Sequence, residues 1–162
     1  MVFIVCTAAG LYKSAVLSKR VRQLEAFVGA INLISTEIRY FASPVEDIMQ
    51  KVNALEEYAQ LLVFGICKKN LLKLRDFPKA WEFSLIEAKP KLALNAGDFE
   101  TLLWFGKLLG TTDLEGQTAN CERYGKLLEQ RLIHAKDDML KRGKMYSSLG
   151  VLAGVFIIVI FF

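Results

Sequence analysis

The stretch Val21-Arg-Gln-Leu-Glu-Ala-Phe-Val-Gly-Ala-Ile-Asn-Leu-Ile-Ser-Thr-Glu-Ile-Arg-Tyr-Phe41 decides the fold class. Its apolar positions Val21, Leu24, Val28, Ile31, Ile34, Ile38 and Phe41 recur three or four residues apart, which is one face of an α-helix. Nothing breaks the chain between Leu17 and Val21, so the helix should run back into the N-terminal residues. Ser43-Pro44-Val45-Glu46 stops it. Pro44 pushes Ser43 out of helical geometry, which ends the first helix near Ala42. Ser43 is expected to cap the second helix, with Pro44 at its first position and Glu46 completing a capping box.

The same signals repeat downstream. A second helix is expected over Pro44 to Ala54 and a third over Glu56 to Leu74, with Lys68, Lys69, Lys73 and Arg75 towards its C-terminal end, where cations suit the helix dipole. A fourth starts at Pro78, carries Trp81 and Leu85, and is ended or restarted by Pro90. A fifth runs from Ala96 to Leu109, capped by Asn95 and stopped by Gly110. Thr112-Asp113-Leu114-Glu115 reads as another capping box. It opens a helix of about 50 residues, some 75 Å long, that continues to the C-terminus. No strand-like alternation, low-complexity linker or repeat interrupts this pattern. The fold class is all-α: a bundle of about six helices.

Hydrophobic residues make up 53% of the 162 residues, yet 23% are charged. The two figures are reconciled by location. Met1–Tyr12 and Met145–Phe162 carry no charge, and every charge lies between them. Residues 145–162 make a helix of about 27 Å, enough to cross a hydrocarbon core of about 30 Å. Residues 1–17 form a weaker candidate that includes Lys13, which can snorkel to the headgroups. The expected division is a membrane helix at 1–17, a helical domain at 18–144 and a membrane helix at 145–162. Lys19, Arg20 and Arg22 follow the first segment, and Lys141, Arg142 and Lys144 precede the second. Such flanks stay in the cytoplasm, so the middle domain is expected there. The same charges account for the net +4 without nucleic-acid binding. Gly150 and Gly154, four residues apart in the apolar helix, are expected to let membrane helices pack closely.

A search for chemistry returns little. His134 is the one histidine, and no nucleophile motif surrounds any Ser or Cys. Gly106-Lys107, Gly125-Lys126 and Gly143-Lys144 have Thr101, Asn120 and Asp138 where a phosphate loop needs its first Gly, so no nucleotide site is expected. Cys6, Cys67 and Cys121 are scattered, odd in number and form no CxxC, which indicates neither a disulfide framework nor a zinc site. The reading is a non-catalytic protein with no cofactor and no metal. A membrane-anchored enzyme with a site assembled from scattered polar residues is the alternative; a pore-forming protein would need amphipathic or multiple spans.

Taken in order, Arg20-Val-Arg-Gln-Leu24, Glu37-Ile-Arg-Tyr40, Ser43-Pro44, Phe105-Gly-Lys-Leu-Leu-Gly110 with Asp113 and Gln117, and Met145-Tyr-Ser-Ser-Leu-Gly-Val-Leu-Ala-Gly154 resemble the stage III sporulation protein AB family. Ser43 stands where the family usually has Thr, which keeps the capping chemistry. The resemblance implies the inner-membrane platform of a secretion-like complex between mother cell and forespore in an endospore former, with a cytoplasmic domain similar to the type II secretion platform protein. It implies a membrane location in the mother cell. The implied partners are a stage III sporulation protein AA-like ATPase, other membrane subunits of the complex and the bilayer, with self-association also admitted. No catalytic residue is carried over. The turn from Gly106 to Gln117 is the expected docking site, with Asp113 and Gln117 as polar contacts and Gly106 and Gly110 shaping it; the basic residues Lys68, Lys69 and Lys73 are the fallback surface.

Overall fold

The computed structural model describes residues 2–143 and Met145, with side chains from Gly10 onward except that of Gly143. All regular elements among them are helical: α1 (Val2–Phe41), α2 (Val45–Ala54), a 3-10 helix (Glu56–Leu61), α3 (Val63–Leu74), α4 (Phe77–Ala88), a 3-10 turn (Lys89–Lys91), α5 (Ala96–Leu108), α6 (Leu114–Asp138) and a π-turn (Met139–Gly143). Gln23–Arg131 form one compact unit, and the described residues before Gln23 and after Arg131 belong to a second.

The 23–131 unit is built around α1. Leu24, Phe27, Ala30, Ile31, Ile34 and Ile38 are buried along it, following the stripe that defines the helix; Phe41, the last of that stripe, is 67% exposed. Rings then pass from helix to helix. Phe27 of α1 meets Phe64 of α3 at 6.2 Å, and Phe64 meets Trp81 of α4 at 5.7 Å. Trp81 meets Phe105 of α5 at 5.8 Å, which meets Tyr124 of α6 at 6.4 Å. Aromatic pairs at such separations add to the free energy of area burial, so this chain ties five helices into one core. Gln23, fully buried, fixes the loop before α5: its amide donates to the Lys91 carbonyl and accepts from the Ala93 N–H at 2.7 Å.

Three helix ends depart from the sequence expectation. Ser43 does not cap α2, whose N-terminus has no side-chain cap. Its hydroxyl instead donates back to the Glu37 carboxylate at 2.9 Å, alongside Lys51 Nζ at 2.6 Å, and closes the end of α1. The third helix is not continuous from Glu56. Leu62 adopts a left-handed conformation, φ 54°, between the 3-10 helix and α3. The physical reason is burial: Leu61 and Val63 are both fully buried, yet two residues subtend about 200° on an α-helix. Both can face the core only if the chain turns between them. At α6, of the two candidate caps Thr112 and Asp113, Asp113 is the one used, but the expected box does not close: Asp113 Oδ1 accepts from the Gly116 N–H at 2.9 Å, which leaves Glu115 one position short. By contrast, Asn95 and Asp98 form a complete capping box at α5, and Gly110 stops the chain beyond it with φ 76°.

The last helix is α-helical to Asp138, widens into the π-turn over Met139–Gly143, and Met145 is again α-helical. Among the described residues no helix is long and apolar enough to cross a membrane. Beyond Met145 the expected span at 145–162 lies outside the described residues, as do Met1 and the side chains of 2–9 in the expected span at 1–17.

The Ser43–Glu37–Lys51 cluster makes a pH prediction. The hydrogen bond from Lys51, then that from Ser43, holds the Glu37 carboxyl below its ordinary value of 4.5. A lowered native value means that the cluster stabilises the fold fully above the unfolded value and loses this contribution as pH falls through the native one. Acid titration of the unfolding midpoint should therefore be shallower in Glu37→Gln than in the parent chain. Ser43→Ala should destabilise the parent but not the Glu37→Gln variant to the same extent, since the two residues act as a pair. Equal effects in both backgrounds would return Ser43 to a capping role.

Candidate docking surface

Within the 23–131 unit, α1 and α6 run antiparallel. Arg39 pairs with Glu122, and Gly125 lies against Ile31 and Asn32. The chain thus enters at Gln23 and leaves at Arg131 at one end of the unit. The junctions Phe41–Val45 and Leu109–Leu114 lie at the other. A Cβ on Gly110 would lie 3.6 Å from Val45 Cγ2 and 4.0 Å from Phe77 Cβ, so three interhelical connections meet at this far end.

The far end carries a groove of about 580 Å³ lined by Arg39, Asp113, Leu114, Glu115, Thr118 and Glu122, among others. Three carboxylates face one guanidinium there. The Glu122 carboxylate, by its hydrogen bond and charge, raises the already high pKa of Arg39. Tyr40 (72% exposed), Phe41 (67%) and Leu114 (48%) stand at the same end. Exposed aromatic and aliphatic side chains rimmed by charge are the surface chemistry of a protein interface, because the apolar atoms gain most from leaving water and the charges set orientation.

The expected site residues do not share one role. Asp113 lines the groove and also caps α6. Gln117 is turned back on its own connection, its amide donating to the Thr112 carbonyl at 3.0 Å. Gly110 is exposed and makes the left-handed stop. Gly106 is not at the surface: it is buried beneath Trp81, and a Cβ there would lie 1.9 Å from Trp81 Cδ1. Gly150, Gly154 and Lys144 lie outside the described residues. Lys19 and Arg22 are exposed. Arg20 pairs with Asp138 at 3.6 Å, Lys141 with Asp137 at 2.7 Å and Arg142 with Asp138 at 3.2 Å.

The polar residues offer little else to chemistry. Cys67 and Cys121 are buried thiols pushed up to about 12 chiefly by desolvation, so neither supplies a thiolate near neutrality. Exposed His134 lies outside the 23–131 unit. Among the described residues no group of three His, Cys, Asp or Glu side chains could hold a metal ion. Three features escaped the sequence reading: buried Gln23, the Gly106–Trp81 contact, and the link from Arg131 to Asp98 at 3.9 Å. Each joins residues far apart in the chain, and no local pattern announces it.

Comparison with known proteins agrees in sequence and in fold. The family model for stage III sporulation protein AB matches residues 1–162. Stage III sporulation protein AB of Bacillus subtilis (strain 168) is 30% identical over 162 residues, covering 98% of this chain and 95% of the relative. A solved structure of a stage III sporulation protein AB superposes with a TM-score of 0.66 at 25% identity, covering 75% of this chain and 96% of that one. With the whole length matched by the family and the helical fold shared, the chain belongs to the stage III sporulation protein AB family and acts in sporulation.

Proposed function

We propose that this chain is a non-catalytic platform of a secretion-like complex in the sporulating cell, held in the membrane by its apolar ends, with its far end docking a cytoplasmic ATPase similar to stage III sporulation protein AA. The observation that carries the reading is the placement of the charged, partly apolar surface around Arg39, Tyr40, Phe41, Asp113 and Leu114. It lies at the end of the 23–131 unit opposite Gln23 and Arg131, where the chain leads off towards both uncharged termini. A domain tethered at one end offers the other to soluble partners, and its other membrane subunits meet it through the apolar segments.

Binding to the purified ATPase tests the docking. Asp113→Asn keeps an acceptor for the Gly116 N–H and so much of the cap, but removes the charge. It should stay folded and bind more weakly, through slower and less salt-sensitive association, as for the loss of a charge at an interface rim. Gln117→Ala removes only an exposed hydrogen bond to Thr112 and should weaken docking less. Wild-type affinity in both variants would move the docking face elsewhere.

The tether has its own test. A reporter active only outside the membrane, fused near Leu72, should be silent, since the basic residues flanking both apolar segments hold the middle domain inside. Activity there would reverse the orientation and remove the far end from the ATPase's reach.

A further inference from the structure

A second surface of the 23–131 unit remains without a role. Along α3 a groove of about 600 Å³ is lined by Leu62, Ile66 and Leu72 and by the charged Lys68, Lys69, Lys91 and Glu87, among others. Leu72 is 76% exposed and Leu62 41%. The side of α3 turned to the core is already filled by Val63, Phe64, Cys67 and Leu71. Leu62, Ile66, Lys69 and Leu72 follow one another at spacings of four, three and three, so they make a second stripe, on the outer side.

The charges on this stripe are not explained by the helix itself. The last turn of α3 contains Lys73, which suits the negative end of the dipole. Lys68 and Lys69 are in the middle of the helix, because the chain breaks at Leu62 and α3 begins only at Val63. Among the described residues none of Lys68, Lys69 and Lys91 is in an ion pair. The left-handed turn at Leu62 that lets Leu61 and Val63 both face the core leaves the Leu62 side chain partly out in solvent.

We infer that this groove docks an amphipathic α-helix of a partner protein whose apolar stripe is flanked by Glu or Asp. Aliphatic side chains at helical spacing would enter between Leu62, Ile66 and Leu72, and carboxylates would neutralise Lys68, Lys69 and Lys91. A bilayer surface would satisfy the lysines but is too flat to fill the groove. The surface is separate from the far end of the unit, so the inference stands whether or not the ATPase docks there.

The test uses the full-length chain in detergent and two fluorescent synthetic peptides. One is an amphipathic helix with Leu at positions i, i+4 and i+7 and Glu on both flanks; the other has the same composition scrambled. The helical peptide should bind at least about tenfold more tightly than the scrambled one, because register and not bulk charge is recognised. Leu72→Glu, and separately Lys68→Glu with Lys69→Glu, should each lower its affinity by about tenfold or more. Asp113→Asn should leave it unchanged. All these positions are at least partly exposed, so circular dichroism should show an unaltered helical signal. Equal affinity for the two peptides, or none for either, overturns the inference. So do two other results: lysine variants that lose binding to phosphatidylglycerol vesicles but keep the peptide, which assigns the surface to lipid, and a parent oligomer that Leu72→Glu dissociates, which assigns it to a second copy of the chain.

Discussion

Gly106→Ala should destabilise the fold by about 3 kcal/mol or more, the upper part of the range for overpacking a core. The added methyl would lie 1.9 Å from Trp81 Cδ1, 2.3 Å from Cγ and 2.4 Å from Nε1. Those are indole atoms that cannot step aside. Trp81 is 1% exposed, sits between Phe64, Phe77 and Phe105, and donates from Nε1 to the Leu102 carbonyl at 2.8 Å. A displaced indole would break that hydrogen bond and open the ring contacts that Trp81 makes with Phe64, Phe77 and Phe105. Denaturant unfolding followed by tryptophan fluorescence measures the loss directly. Trp81→Ala in the parent chain should cost about 3–5 kcal/mol through the cavity it leaves. The two changes should be far from additive. Once Trp81 is removed, the methyl at Gly106 meets open space and Gly106→Ala becomes close to neutral. Full additivity would show that Gly106 matters for a reason other than the indole above it.

This pair also explains what could be read in the sequence. The run Phe105-Gly-Lys-Leu-Leu-Gly110 carries part of the family resemblance, which made the whole segment look like one docking turn. The structure divides it: Phe105, Gly106 and Leu109 are core, and Gly110 alone marks the surface turn. Cap and stop residues placed α2 and α5, while periodicity placed α1 and α6, because each buries one stripe and periodicity records a stripe. It failed at Leu62, where consecutive elements bury different faces and the chain must turn at a residue with no turn-forming side chain. Capping was legible at Asn95, where Asp98 completes a box that the sequence reading had not named. It misled at Ser43, because the hydroxyl had a better acceptor in Glu37, six residues back. The far-end surface was half legible. Asp113 stood out as a polar residue at a turn, while Arg39, Tyr40 and Phe41 reach the same end only through the antiparallel pairing of α1 with α6.

The capping box at α5 is expected to be the other large single contribution to stability. Asp98 is fully buried. Its carboxylate accepts from the Asn95 N–H at 3.1 Å, and its own N–H donates to Asn95 Oδ1 at 2.8 Å. The Arg131 guanidinium approaches at 3.9 Å and donates from Nε to Thr101 Oγ1 at 2.7 Å, which joins α6 to α5 across the box. Asp98→Ala would leave the Asn95 N–H without its acceptor and take the carboxylate from Arg131. Losing the hydrogen bond that the charged carboxylate accepts costs about 2 kcal/mol, and losing its part-exposed ion pair with Arg131 about 1 more. A total near 3 kcal/mol is expected in denaturant unfolding of the full chain, roughly the sum of those two effects. The distances indicate which part dominates. The box bonds are of ordinary hydrogen-bond length, whereas the ion pair is long and its arginine is 36% exposed, so water can replace the lost carboxylate. Asp98→Asn, which retains an oxygen for the Asn95 N–H, should therefore cost no more than about half as much as Asp98→Ala. Arg131→Ala should cost about 1 kcal/mol, mainly through Thr101 and the lost cover over Gly97. If Asp98→Asn proved as destabilising as Asp98→Ala, the negative charge rather than the capping geometry would be what holds α5 to α6, and Arg131→Ala should then be nearly as damaging in its own right.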